Sequence, residues 1–144
     1  SRGYIAIKSL DSRVPPIIQP NYFAEQKDRD VMVEGVKMSR DIISQKAFDE
    51  YRVKEITPGI EVQTDEQIEN FIREKAETIY HPVGTCKMGK DNDSMAVLNS
   101  KLQVKGIENL RVFDVSMMPN IVAANTNAPA MAIADKATDI MLEN

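Results

Sequence analysis

The spacing of apolar positions along the chain changes several times, and each change predicts an element. Tyr4, Ile5, Ile7 and Leu10 form a short apolar run, and Val14 to Phe23 is held extended by Pro15, Pro16 and Pro20, as a loop and edge strand are. From about Glu25 the pattern turns helical. Val33, Val36 and Ile43, with Met32 and Ile42 beside them, approximate one stripe, and Asp28 and Asp30 lie where carboxylates suit the start of the helix dipole. Tyr51 to Ile56 alternates apolar and polar as a half-buried strand does, until Pro58-Gly59 breaks it. Thr64-Asp65-Glu66-Gln67 then has the spacing of a capping box, and Ile68, Phe71, Ile72 and Lys75 continue one face of a second helix that should end just before Tyr80.

The remainder has a different character. Tyr80 to Gly89 reads as an extended piece, and Lys90 to Ser94 as a polar surface loop. After a turn at Gly106 to Asn109, the dense apolar run Leu110 to Val115 predicts a strand buried on both faces. Ser116 to Ala124 reads as an irregular linker. Asn125-Thr126-Asn127-Ala128-Pro129 reads as a helix entry, with Asn as a capping acceptor and proline in the first turn, where its missing amide does no harm. Ile133, Ala137, Ile140 and Met141 give the buried stripe of that helix, and Ala128, Ala130, Ala132 and Ala134 allow another backbone or a ligand to come close. No repeat or low-complexity region interrupts these patterns.

Composition narrows the function classes. At 144 residues, 42% hydrophobic and 28% charged, the chain has the make-up of an ordinary globular domain. Eighteen Lys and Arg against 22 Asp and Glu leave a net charge of -4 with both signs interspersed, so there is no basic stripe for a phosphate backbone and nucleic acid is not an expected partner. No apolar run has the length of a transmembrane helix. Ser1-Arg2-Gly3-Tyr4 reads neither as a signal peptide nor as a natural start, so the sequence is expected to be a piece of a longer chain. Cys86 is the only cysteine, which rules out an internal disulfide and suits a reducing compartment.

The candidate chemistry centres on the only histidine, His81. Imidazole exchanges a proton near neutral pH without special tuning, and Pro82 after it biases the histidine backbone toward an extended conformation. A fixed imidazole on such a segment can be an aimed base, or a hydrogen-bonded structural residue; side-chain chemistry alone leaves both open. The start of the last helix is similarly two-sided. Its free amides and positive dipole end favour any group that becomes negative beside it, yet a terminal helix with an ordinary Asn cap is the plainer alternative. Cys86 and Met88 share the histidine segment, but with no second His or Cys nearby they make a poor ligand set, and packing behind the loop is expected of both; no metal site is expected.

Taken together, Tyr80-His81-Pro82-Val83-Gly84-Thr85-Cys86-Lys87-Met88-Gly89, then Leu110-Arg111-Val112-Phe113-Asp114-Val115-Ser116-Met117-Met118-Pro119, then Asn125-Thr126-Asn127-Ala128-Pro129 resemble the C-terminal portion of the glucose-methanol-choline (GMC) family of flavin oxidoreductases, in its choline dehydrogenase-like branch. Ser1-Arg2-Gly3 and Pro20-Asn21-Tyr22 extend the resemblance along essentially the whole chain. It implies oxidation of a primary or amino alcohol to an aldehyde, with FAD as cofactor and hydride acceptor. By position in the motifs, His81 is implied as the base and Asn125 as its positioning partner. Asn127, Ala128 and Pro129 match the part that lies against the flavin, and Asp114 matches an acidic residue near the cofactor.

The implied fold class is α+β: an antiparallel sheet with helices on one side over residues 1–95, forming part of the substrate-binding domain, plus a C-terminal strand and helix over 96–144 that return to the FAD-binding domain. The six glycines contain no G-x-G-x-x-G, so FAD is expected to be held mainly by an N-terminal domain outside these residues. That domain and a small alcohol are the implied partners. In the lone fragment the late strand and helix are expected to pack on something else or to self-associate, because their apolar faces lose their partner. The family's localisation is expected to be cytoplasmic or peripheral to the inner membrane. The electron acceptor and the particular alcohol stay open, and two other readings stand beside oxidation: a hydroxynitrile lyase of the same family, and a non-catalytic interaction module.

Overall fold

The computed structural model describes residues 1–143, which divide into two compact units, Ser1–Glu77 and the residues from Thr78 onward. The chain's own packing therefore breaks after the second long helix. The expected division at residue 95 concerns domains of a larger enzyme and is a different boundary.

The first unit opens with a two-stranded antiparallel ribbon, β1 (Tyr4–Ala6) and β2 (Ile17–Gln19), in the register Tyr4 to Gln19, Ile5 to Ile18 and Ala6 to Ile17. Gly3 precedes β1 because a side chain there would collide with the backbone of Gln19 and Pro20. Helix α1 (Gln26–Ser44) and helix α2 (Asp65–Lys75) pack together around buried Val33, Ile68 and Ile72, with Phe23, Val36, Val62 and Phe71 against them. Their flanks are tied by ion pairs, Lys37 to Asp65 at 2.8 Å and Arg29 to Glu69 at 3.4 Å. The α1 stripe is buried only at Val33 and, in part, Val36. Met32, Ile42 and Ile43 remain exposed.

The capping box at the start of α2 forms as the sequence predicts. The Gln67 amide donates to Thr64 Oγ1 at 3.2 Å, and Gln67 Oε1 accepts from the amides of Thr64 at 3.0 Å and Gln63 at 2.9 Å. The helix stops at Lys75, earlier than expected, and Ile79 beyond it is exposed, so no apolar stripe rewards a further turn. Tyr51 to Ile56 is not a strand. Val53 is 93% exposed, and the segment is instead anchored to α1 by Glu55, which accepts from Arg40 at 2.7 and 3.1 Å while Arg40 also donates to the Gly59 carbonyl at 3.2 Å.

The second unit is built of loops around a core of Leu98, Leu102, Met117 and Ala137. Single antiparallel bridges join Leu98 to Val104 and Gln103 to Arg111, and a parallel one joins Met88 to Leu98. Leu110 to Val115, expected as a strand buried on both faces, is reduced to one such bridge. Backbone bonds from Val104 to Leu110 (2.9 Å) and from Val112 to Leu102 (3.2 Å) pair it on one side, and Asp114 then turns it into the short 3-10 turn Val115–Met117. Met117 and Met118, which the sequence pattern places in a linker, are buried. Helix α3 (Asn127–Leu142) packs on that turn, with Ala137 in the core and Ile133 beside it. The α+β class with antiparallel pairing holds, although the sheet is smaller and the loops carry more of the fold than the periodicity suggests. Among the described residues no helix is long and apolar enough to cross a membrane.

Candidate active site

His81 lies half-buried in a segment without regular structure, between two residues of positive φ: Tyr80 at 61° and Gly84 at 88°. A left-handed tyrosine is unusual, since its Cβ is crowded there; the Tyr80 side chain is exposed and its amide donates to Thr78 Oγ1 at 3.1 Å. A turn closes after Gly84, with the Lys87 amide donating to the Gly84 carbonyl at 3.2 Å, so the expected extended piece is bent in its middle. Beyond the turn the segment is fastened to the Val115–Met117 turn. The Cys86 amide donates to Ser116 O at 3.0 Å and the Met88 amide to Met117 O at 2.8 Å. Gly84 itself crosses close to that stretch, where a Cβ would stand 3.2 Å from the Met118 carbonyl oxygen.

Cys86 and Met88 pack against the Leu98–Met117–Ala137 cluster, behind the loop as expected. The same cluster receives Val112 and Phe113 from the run before Asp114, and Ile133 from α3. One core thus ties together the His81 segment, the Asp114 turn and the helix that follows Asn125. No hydrogen bond engages the His81 ring or the Asn125 amide among the described residues. Asn125 is exposed in the loop just before α3, so both side chains are available to an outside group.

Asp114 is exposed and caps its turn, its Oδ1 accepting from the Ser116 amide at 2.7 Å, which leaves the second oxygen for another partner. At the start of α3 the sequence expectation of an asparagine cap is not met. The N-cap is Thr126, buried, with helical φ and ψ of -80° and -7°, and it makes no side-chain cap. A threonine already in helical geometry cannot swing its hydroxyl over the first-turn amides as an extended N-cap does. The amides of Asn127 and Ala128 are therefore without a side-chain cap, Pro129 has none, and Ala130 closes the first intrahelical bond to Thr126 O at 2.9 Å. An exposed, uncapped helix start with two free donors suits a planar group that gains negative charge, so the residues present fit the flavin that the motifs imply.

Sequence reasoning passes over two further side chains. Lys87 lies in the histidine motif, and Asp93 in what reads as a plain polar loop, yet they form an ion pair at 2.8 Å. A pairing six residues apart across a turn leaves no periodic signal; a lysine three residues after a turn-forming glycine, followed by an acidic loop, is the hint the sequence gives.

Residues 1–134 match the GMC oxidoreductase family, and the chain belongs to it, corresponding to its C-terminal region. It is 48% identical over 139 residues to an oxygen-dependent choline dehydrogenase of Citrobacter koseri, covering 96% of this chain and 25% of that protein. It is 46% identical over 142 residues to an alcohol dehydrogenase (acceptor) of Pseudomonas putida, covering 99% and 25% respectively. Among solved structures it is similar to a formate oxidase of Aspergillus oryzae studied for its FAD modification, with TM-score 0.89 and 28% identity, over 98% of this chain and 24% of that one. The chain thus spans about a quarter of the length of the relatives it matches.

Proposed function

We propose that this chain is the C-terminal catalytic part of a flavoenzyme that oxidises a primary or amino alcohol, choline-like in class, to an aldehyde. The observation that carries the reading is the His81 segment. It holds a free imidazole between two left-handed residues and is bonded to the same Ser116–Met117 stretch on which the Asn125 helix packs.

When bound, FAD supplies the two-electron acceptor that takes the hydride from the alcohol carbon. The chain's own residues do the rest. His81 accepts the hydroxyl proton, which raises electron density on the oxygen and drives the adjacent C–H bond toward hydride release. Asn125, which does not titrate, holds the oxygen by hydrogen bonding, so that the alcohol sits in one orientation before the proton moves. The amides of Asn127 and Ala128, with the dipole of α3 behind them, would offset negative charge on a bound flavin. The imidazolium formed at His81 returns its proton to solvent, to which the half-buried ring has access.

His81→Ala in the enzyme that carries this chain should slow flavin reduction by the alcohol on the order of 100- to 10,000-fold, with flavin content unchanged. Asn125→Ala should be milder. Anaerobic stopped-flow reduction measures the rates and the visible flavin spectrum the flavin content. Loss of flavin in proportion to rate would make His81 a structural residue instead.

A further inference from the structure

The loop that carries His81 does not rest on backbone bonds alone. Lys87 is its fastening point: its amide donates to Gly84 O, and its carbonyl accepts from both Val97 at 2.9 Å and Leu98 at 3.2 Å. The Lys87 ammonium reaches back to Asp93 Oδ2 at 2.8 Å, while the other oxygen of that carboxylate accepts from the Met95 amide at 2.9 Å. Asp93 is itself held by a turn, its amide donating to Lys90 O at 3.0 Å and its carbonyl accepting from Ala96 at 3.1 Å. Lys105 Nζ staples the same turn from outside by donating to Lys90 O at 2.8 Å.

Gly89 makes this closure possible. A Cβ at 89 would stand 2.7 Å from the Ala96 methyl and 2.9 Å from Asp93 Oδ2, the very oxygen that takes Lys87. The glycine is thus required by close approach and not by backbone dihedrals. Both partners of the pair are about a third exposed, 30% for Lys87 and 35% for Asp93, so solvent screens it and it adds little to stability. What it fixes is geometry. From Lys87 the chain leads back to His81 through the Gly84–Lys87 turn and Pro82, whose ring locks its φ, so the turn that Lys87 closes is the backbone that carries the imidazole.

We propose that the Lys87–Asp93 ion pair, closed over Gly89, is a positioning pair that aims His81 in the reaction. The inference rests on the reading of His81 as the base. Displacement of a catalytic group by about 1 Å costs on the order of 100-fold in rate, so loosening the pair should be felt in the proton-transfer step and little elsewhere.

The test uses the intact flavoenzyme and anaerobic reduction of its flavin by choline, with flavin content and the substrate dissociation constant followed in parallel. Asp93→Asn and Lys87→Met should each lower the limiting reduction rate roughly 10-fold or more. Flavin content and substrate affinity should stay within about twofold of the parent. Lys87→Met with Asp93→Asn together should be no slower than the slower single variant, because both remove one interaction. Lys87→Arg and Asp93→Glu, which keep the charges, should recover most of the rate. Reduction rates near the parent in both single variants, with His81→Ala slow, would overturn the positioning role alone. Parallel loss of flavin and rate, without recovery in the charge-keeping variants, would make the pair merely structural. A fast His81→Ala would overturn the base assignment and the positioning role together.

Discussion

At the scale of single residues, the histidine segment depends on two glycines for different reasons. Gly89 leaves room for Asp93 and Ala96, whereas Gly84 supplies a backbone conformation, with φ at 88°. An alanine in place of Gly84 costs about 1–2 kcal/mol for the left-handed geometry, and its methyl would also press on the Met118 carbonyl at 3.2 Å. That carbonyl is one residue beyond Met117, whose oxygen takes the Met88 amide, so the strain falls on the fastening of the loop itself. Gly84→Ala should therefore lower stability by about 1–2 kcal/mol in denaturant unfolding and also slow flavin reduction. A Gly84→Ala variant with neither loss would show that the turn is not needed to present His81. His81 and Asn125 are candidates through the family motifs they sit in, since a lone histidine before proline leaves its role open, whereas the Lys87–Asp93 pairing depends on a turn whose path no spacing reveals.

Among the elements, the outcome divides by how local the determining contacts are. The capping box of α2 is written within four consecutive residues, Thr64 to Gln67, and forms as read. The alternation in Tyr51 to Ile56 is equally clear, but a strand needs a partner and none of the described residues pairs with it. Leu110 to Val115 finds a partner on one side only and leaves sheet geometry when Asp114 caps the next turn. In place of strand pairing, Tyr51 to Ile56 depends on the Arg40–Glu55 clamp, whose side chains are 23% and 25% exposed. The guanidinium beside Glu55 holds its carboxyl below the ordinary value of 4.5; the attraction of that charge and the Gly59 amide add to this, and burial opposes it. A depressed folded value means that the clamp's contribution is full above pH 4.5 and is lost as pH falls through the lower folded value. Glu55→Gln should cost about 1 kcal/mol at neutral pH once solvent screening is allowed for. The gap between parent and variant should close in acid, as unfolding midpoints across that range would show. A gap that stays constant with pH would mean that Glu55 acts by hydrogen bonding alone.

For the molecule as a whole, the question is how much of an enzyme these residues constitute. The cofactor contacts proposed for them are the start of α3, with two free amides in an exposed position, and Asp114. These are a small part of what holds a dinucleotide, so the isolated chain is expected to hold FAD weakly. Its apolar surface points the same way. On α3, Leu142 is 77% exposed and Met131 60%, although Ala137 of the same helix is fully buried, so one side packs and another is left to meet something else. The expected outcome is that the 144-residue chain alone self-associates with rising concentration, as seen by sedimentation. Mixed with FAD, it should give no stoichiometric flavin spectrum and no bleaching by choline. A monomer that takes up one flavin and loses its colour on adding the alcohol would instead place the whole cofactor site within these residues, and would remove the need for the three quarters of its relatives' length that this chain does not span.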